Sequence, residues 1–230
     1  MITRRDFVTA LSSIPFAKFL GIRPAIPKAA STVTPTQDSE DFTKFVKIAI
    51  GTGGHGHTYP GATVPFGMVQ LSPDTYNDGW DWCSGYHYSD NSIMGFSHTH
   101  LSGTGASDML DFLLMPGTGP TKLFPGARQN PGEGYRSRFS HEEEIAVPGY
   151  YSVILRDYNI RAELSATAHA GIHRYTFPKS DASHFILDLV HSFSNTPIIW
   201  ASLKIIGNDT IVGGRSLKGW APGREIYFAV

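Results

Sequence analysis

The chain has 230 residues, enough to bury a substantial core in one large domain or two small ones. A formal net charge of −1, with basic residues scattered along the chain, offers no electrostatic grip on nucleic acid or an anionic membrane, which argues against either partner. Charged residues make up 17% and aromatics 12%, with 24 glycines and 15 prolines, a turn-rich globular composition; the lone Cys83 excludes a scaffold of intramolecular disulfides.

At the N-terminus, Thr3-Arg4-Arg5-Asp6-Phe7-Val8 sets two adjacent arginines before an apolar run from Phe7 to Ile22. That is the layout of a twin-arginine export signal. Lys18 breaks the run, which is too short to span a bilayer. Residues 1–30 are therefore read as an export signal, with a buried or surface helix as the alternative, and the mature protein as periplasmic or secreted. Residues 31–44 read as a linker and 45–230 as the folded domain.

Next comes Gly51-Thr52-Gly53-Gly54-His55-Gly56, which fits G-x-G-x-x-G behind a run that reads as a strand. A dinucleotide site needs a helix directly after the glycines, its N-terminus facing the phosphates. Here the chain continues His57-Thr58-Tyr59-Pro60-Gly61-Ala62-Thr63-Val64-Pro65-Phe66-Gly67, whose prolines and glycines deny it a helix. No crossover helix fits before Asp74 either. The nucleotide reading fails on context.

Two clusters follow. Gly79-Trp80-Asp81-Trp82-Cys83-Ser84-Gly85-Tyr86-His87-Tyr88 sets large aromatics among glycines. Flat rings beside polar edges match the C–H faces and hydroxyl rims of sugars. The competing reading makes Trp80 and Trp82 a satellite core under a long loop. In Phe96-Ser97-His98-Thr99-His100-Leu101-Ser102-Gly103-Thr104-Gly105, a strand would point His98 and His100 to one face. Together they could chelate a metal, given a third ligand; the alternative is two histidines bonded to loop backbone. Ser102 and Ser107 lack a G-x-S-x-G elbow, and Cys83 reads as a small apolar filler. Asp74, Asp78, Asp81, Asp90, Asp108 and Asp111 are candidate glycosidase carboxylates, but many also suit Asx-type turns.

From Tyr150 onward the pattern is β. Tyr151–Leu155, Ile160–Thr167, Ile172–Phe177 and Phe185–Val190 read as strands between turn residues. Leu203–Ile206 and Thr210–Val212 flank Gly207-Asn208-Asp209, a hairpin signal. Glu225–Val230 reads as a closing strand that must pair, internally or with following chain. The fold class is all-β, an antiparallel β-sandwich with long Gly/aromatic-rich loops.

The strings IGTGGHGHTYPGATVPFGMVQLSPDT, GWDWCSGYHYSDNSIMGFSHTHLSGTG and PGYYSVIL…IRAELSATAHAGIHRYTFP resemble the N-terminal domain of glycoside hydrolase family 92. The likeness runs from about Phe45 to the end. It implies a supersandwich-like domain of a calcium-dependent, inverting exo-α-mannosidase that trims mannose from glycans. The family pairs this domain with a large C-terminal α-helical barrel carrying the acid, the base and the calcium ligands. The resemblance then implies no catalytic or metal-binding residue here. It places Trp80, Asp81, Trp82, Tyr86, His87, His98 and His100 toward barrel and sugar. Three readings stay open: a mannosidase domain, a non-catalytic carbohydrate-binding or interaction module, and a His-based metallohydrolase.

Overall fold

Short apolar runs of period two, broken every few residues by Gly, Pro, Asn or Asp, fold as strands and turns. The computed structural model describes residues 40–106 and 108–230; residues 1–30, expected to be an export signal, residues 31–39 of the expected linker and Ser107 lie outside the described residues. The strands are β1 (Ser72–Asp74), β2 (Ser92–Ile93), β3 (Gly95–Ser97), β4 (Leu113–Thr118), β5 (Ser137–Arg138), β6 (Ile145–Val147) and β7 (Tyr150–Leu155). Then come β8 (Ile160–Ala166), β9 (Gly171–Thr176), β10 (Ser183–Asp188), β11 (Ile198–Ile206), β12 (Thr210–Leu217) and β13 (Glu225–Ala229). Every pairing between these strands is antiparallel, and the helices among the described residues are 3-10 turns of three or four residues.

Two four-stranded sheets make the sandwich, in the orders β1-β3-β4-β10 and β6-β7-β8-β9. Side chains two apart on each strand share a face. Thus Phe96, Leu113 and Met115 of one sheet meet Tyr151, Val153, Leu155, Ile160, Ala162 and Leu164 of the other in one buried cluster. Each aliphatic side chain so buried contributes about 1.5–3 kcal/mol. These two layers account for the all-β sandwich read from the sequence.

A third sheet, β11-β12-β13, is tied on by charge. The fully buried Arg215 of β12 donates through Nε to Asp111 Oδ1 at 2.8 Å and through Nη2 to the Leu110 carbonyl at 3.2 Å. Its Nη1 donates to the Leu189 carbonyl at 3.0 Å. Arg224, between β12 and β13, bridges Asp111 at 2.6 Å and Asp108 at 2.8 Å. Burial pushes the Asp111 carboxyl upward, but Arg215 and then Arg224 outweigh it and hold it below the ordinary range. A buried guanidinium is tolerable only when so fully bonded.

The hairpin at Gly207 forms as its letters predict, with φ of +63° at that glycine. The strand at the end of the sequence pairs internally, β13 running against β12. The run before Gly51, legible either as one helical turn or as an edge strand, begins as a 3-10 turn, Phe42–Phe45, followed by further turns. Asp41 caps it, accepting from the Thr43 amide at 2.9 Å, so a local cap outweighs the apolar pattern.

Candidate functional site

Three loops meet around Trp80. The glycine-rich stretch folds back on itself, Thr58 N–H donating to the Gly51 carbonyl at 3.2 Å, and delivers His57 inward. The Gly103 amide donates to the His57 carbonyl at 2.7 Å, fastening the Leu101–Ala106 segment alongside. Trp80 begins a 3-10 turn, Trp80–Trp82, and lays its indole directly on Gly105. A Cβ at Gly105 would stand 2.1 Å from the indole, so only glycine admits this contact. His57 meets the same indole edge-on, ring centroids 4.8 Å apart.

The ring is thus fixed in place yet 60% exposed. Beside it Asp81 pairs with the exposed His55. His57 itself is buried, and its Nε2 has no hydrogen-bond partner. A fixed indole face, a carboxylate and the exposed His55 imidazole make an amphipathic rim suited to a sugar, with the buried His57 supporting the ring from beneath.

The other predicted residues go elsewhere. Trp82 turns away, donating from Nε1 to Asp90 at 2.7 Å, with Arg128 stacked 4.6 Å over its ring. It lines a polar groove of about 670 Å³ with Asp90, Arg128 and Asn130. His87 packs on Trp82 and bonds Ser89 Oγ at 2.7 Å. Tyr86 is buried, its hydroxyl donating to Glu144 at 3.0 Å; burial, and then Glu144, push its phenol far up. With Tyr88, His141 and Glu144 it lines a separate cleft of about 500 Å³.

His98 and His100 do not converge. β3 ends at Ser97, and the chain beyond it sends the two rings apart. His98 Nδ1 donates to the Phe112 carbonyl at 2.7 Å, leaving Nε2 to accept from His173 Nε2 at 2.9 Å. His173 Nδ1 in turn accepts from the Tyr175 hydroxyl at 2.7 Å. Burial holds His98 below its ordinary value and takes His173 down to about 3, with the neighbouring ring adding to it. The fully buried His100 faces the interior: Nδ1 lies 2.7 Å from the Gln70 carbonyl and Nε2 2.7 Å from Asp74 Oδ1. His191 binds the other oxygen of Asp74 at 2.8 Å. Burial raises Asp74, yet the two imidazoles together hold it below the ordinary range.

Among the described residues, no group of three His, Cys, Asp or Glu is placed to hold a metal ion. Calcium wants six to eight oxygens. Asp74, Asp108, Asp111 and Glu144 instead spend their oxygens on His, Arg and Tyr donors. These residues do not fit calcium. The sequence reading missed His191, His173, Arg215 and Arg224, each with a partner in a distant segment of the chain, and took Glu144 for part of a solvated charge run, where it instead accepts from Tyr86 and Tyr151.

Comparison with known proteins settles the lineage. The profile of the glycosyl hydrolase family 92 N-terminal domain matches residues 45–230. The chain belongs to glycosyl hydrolase family 92. A family 92 α-mannosidase from Bacteroides thetaiotaomicron, solved with mannoimidazole, is 46% identical with a TM-score of 0.79. The match covers 81% of this chain and 24% of that one. A family 92 inverting mannosidase from the same species is 26% identical, TM-score 0.64, over 84% of this chain and 25% of its own. An uncharacterized secreted glycosidase from Arthroderma benhamiae is 31% identical over 151 residues, 62% of this chain and 18% of that protein. This family 92 domain therefore spans a quarter or less of each of these three relatives.

Proposed function

We propose that this chain is the N-terminal domain of an exported, inverting α-mannosidase, docked on a C-terminal α-helical barrel that supplies catalysis. The observation that carries this reading is the 46% identity to one quarter of a solved α-mannosidase. In the assembled enzyme the barrel contributes acid, base and calcium ligands, and mannose is trimmed from glycans. This domain contributes the rim: Trp80 as a stacking face, with Asp81, His55 and His57 around it. The secreted glycosidase relative supports export.

The test grafts residues 45–230 into the intact Bacteroides thetaiotaomicron α-mannosidase in place of the part they match. Mannose release from an α-linked manno-oligosaccharide is then measured with calcium and with chelator. Calcium-dependent release is expected. A folded chimera that binds mannosides without turnover would favour the non-catalytic module, and a chimera that cannot fold would overturn the reading.

A further inference from the structure

Phe66 stands at φ of +60°, in the left-handed region that side chains bearing a Cβ rarely adopt. Other bulky residues of this domain that share that region have compensation. His57, Leu110 and Phe112 are buried, Met109 is half-buried with its amide bonded to Asp108, and the run from Asp108 to Phe112 is clamped by Arg215 and Arg224. Asn159, Ser194 and Asn195 are small polar residues in turns, where this conformation is better tolerated. Phe66 has neither excuse. Its ring is fully exposed, so no packing within the domain offsets the strain.

The turn that carries it is firmly held. Gly67 N–H donates to the Val64 carbonyl at 2.9 Å, and Met68 N–H to the Ala168 carbonyl of the β8–β9 hairpin at 2.8 Å. Gln70 Nε2 adds a bond to the Gly67 carbonyl at 2.8 Å. Met68, next along the turn, and Ile172, on the adjoining hairpin, are exposed as well. Strain kept at a rigid, outward-facing aromatic marks a site where something outside the domain uses the conformation.

We propose that Phe66 is the aromatic anchor by which this domain docks into an apolar pocket of the rest of a family 92 enzyme. The inference rests on the mannosidase reading above. The occupant follows from length: the solved α-mannosidase has about three-quarters of its chain beyond the part matched here. That remainder is the surface a family 92 N-terminal domain has to meet. Rigid aromatics seated in pockets commonly dominate such contacts.

Phe66→Gly tests this in two settings. Glycine accepts positive φ without strain. In the 230-residue chain, the thermal midpoint should therefore stay or rise, whereas a fall would make Phe66 structural and overturn the proposal. In the grafted α-mannosidase, Phe66→Gly should shorten the half-life of activity on heating at least tenfold, and Phe66→Tyr should restore most of it. A grafted enzyme that is active and equally durable with Phe66→Gly overturns the anchor while leaving the mannosidase reading intact. If the graft carrying Phe66 fails to fold, the mannosidase reading itself falls. Should the free chain instead self-associate through Phe66, and Phe66→Gly abolish that, the partner is a second copy and the proposal fails.

Discussion

At the scale of single residues, the domain separates side chains that face outward from those that hold it together. Trp80 rests on Gly105 and His57 but keeps most of its indole in solvent. A stacked aromatic contributes about 0.5–1.5 kcal/mol beyond its burial, or roughly two- to tenfold in an equilibrium or rate. Trp80→Ala in the grafted mannosidase should lower kcat/KM on an α-mannoside by about that factor. The free chain's thermal midpoint should barely move; a drop of many degrees would make Trp80 core. Asp74 is the opposite case. It lies fully buried between His100 and His191, so Asp74→Asn leaves two imidazoles facing a neutral amide. Breaking a buried pair costs roughly 3–5 kcal/mol. Urea unfolding of Asp74→Asn should show a loss of that order, and an unchanged midpoint would refute the pairing. Sequence alone made Trp80 visible, as an aromatic flanked by glycines. It left Asp74 as one loop carboxylate among six, because nothing local announces histidines 26 and 117 residues away.

Among the elements, the His173 ring on β9 closes onto His98, which follows β3, and so joins an edge strand of one sheet to the other sheet. The pair is held neutral by burial, with His173 protonating only at about 3. The unfolded chain takes that proton near 6.5. Below that pH the unfolded state binds more protons, so stability is complete above about 6.5 and falls as pH drops toward 3. Asp74 and Asp111, held below the ordinary carboxylate value of 3.8, add their losses only near and below that value. Glu163, held at about 2 mainly by its Arg174 and Tyr150 bonds, begins to lose its share as pH nears its ordinary 4.5, so urea midpoints between pH 7.5 and 5.5 report chiefly on the histidines. A decline over that range is expected, and His173→Gln, which keeps a donor and an acceptor without titrating, should flatten it. A His173→Gln chain with the same slope would assign the decline elsewhere. β7, β8 and β9 were legible as runs of six or more residues between turn letters and β10 as an apolar run, whereas of β11 and β12 only the parts beside Gly207 were read. β1, β2, β3 and β5 have only two or three residues each, too few for a period to show. The Arg215–Asp111 tie was illegible too: its members stand 104 residues apart, and only the folded sheet brings them together.

Taken whole, the described residues form an outward rim and an inward charge network, and the network engages four of the six candidate carboxylates, Asp74, Asp90, Asp108 and Asp111. An inverting glycosidase requires two available carboxyl groups roughly 6.5–9.5 Å apart, one as acid and one activating water. Here Asp74 is shared by two histidines, Asp108 and Asp111 by two arginines, and Asp90 by Arg128 and Trp82. Glu144 accepts from Tyr86 and Tyr151 and faces His141. Freeing any of them means breaking a bonded cluster, not merely binding a sugar. Among the described residues, the same saturation leaves no oxygen cage for calcium. The purified 230-residue chain should therefore release no mannose from an α-linked manno-oligosaccharide, with calcium or with chelator. Its thermal midpoint should also be the same in calcium as in EDTA, because a ligand without a site shifts no folding equilibrium. Calcium-dependent release would instead mean that an acid–base pair assembles within these residues. A calcium-raised midpoint without release would place a structural ion in the domain and return the calcium ligands, in part, to this chain.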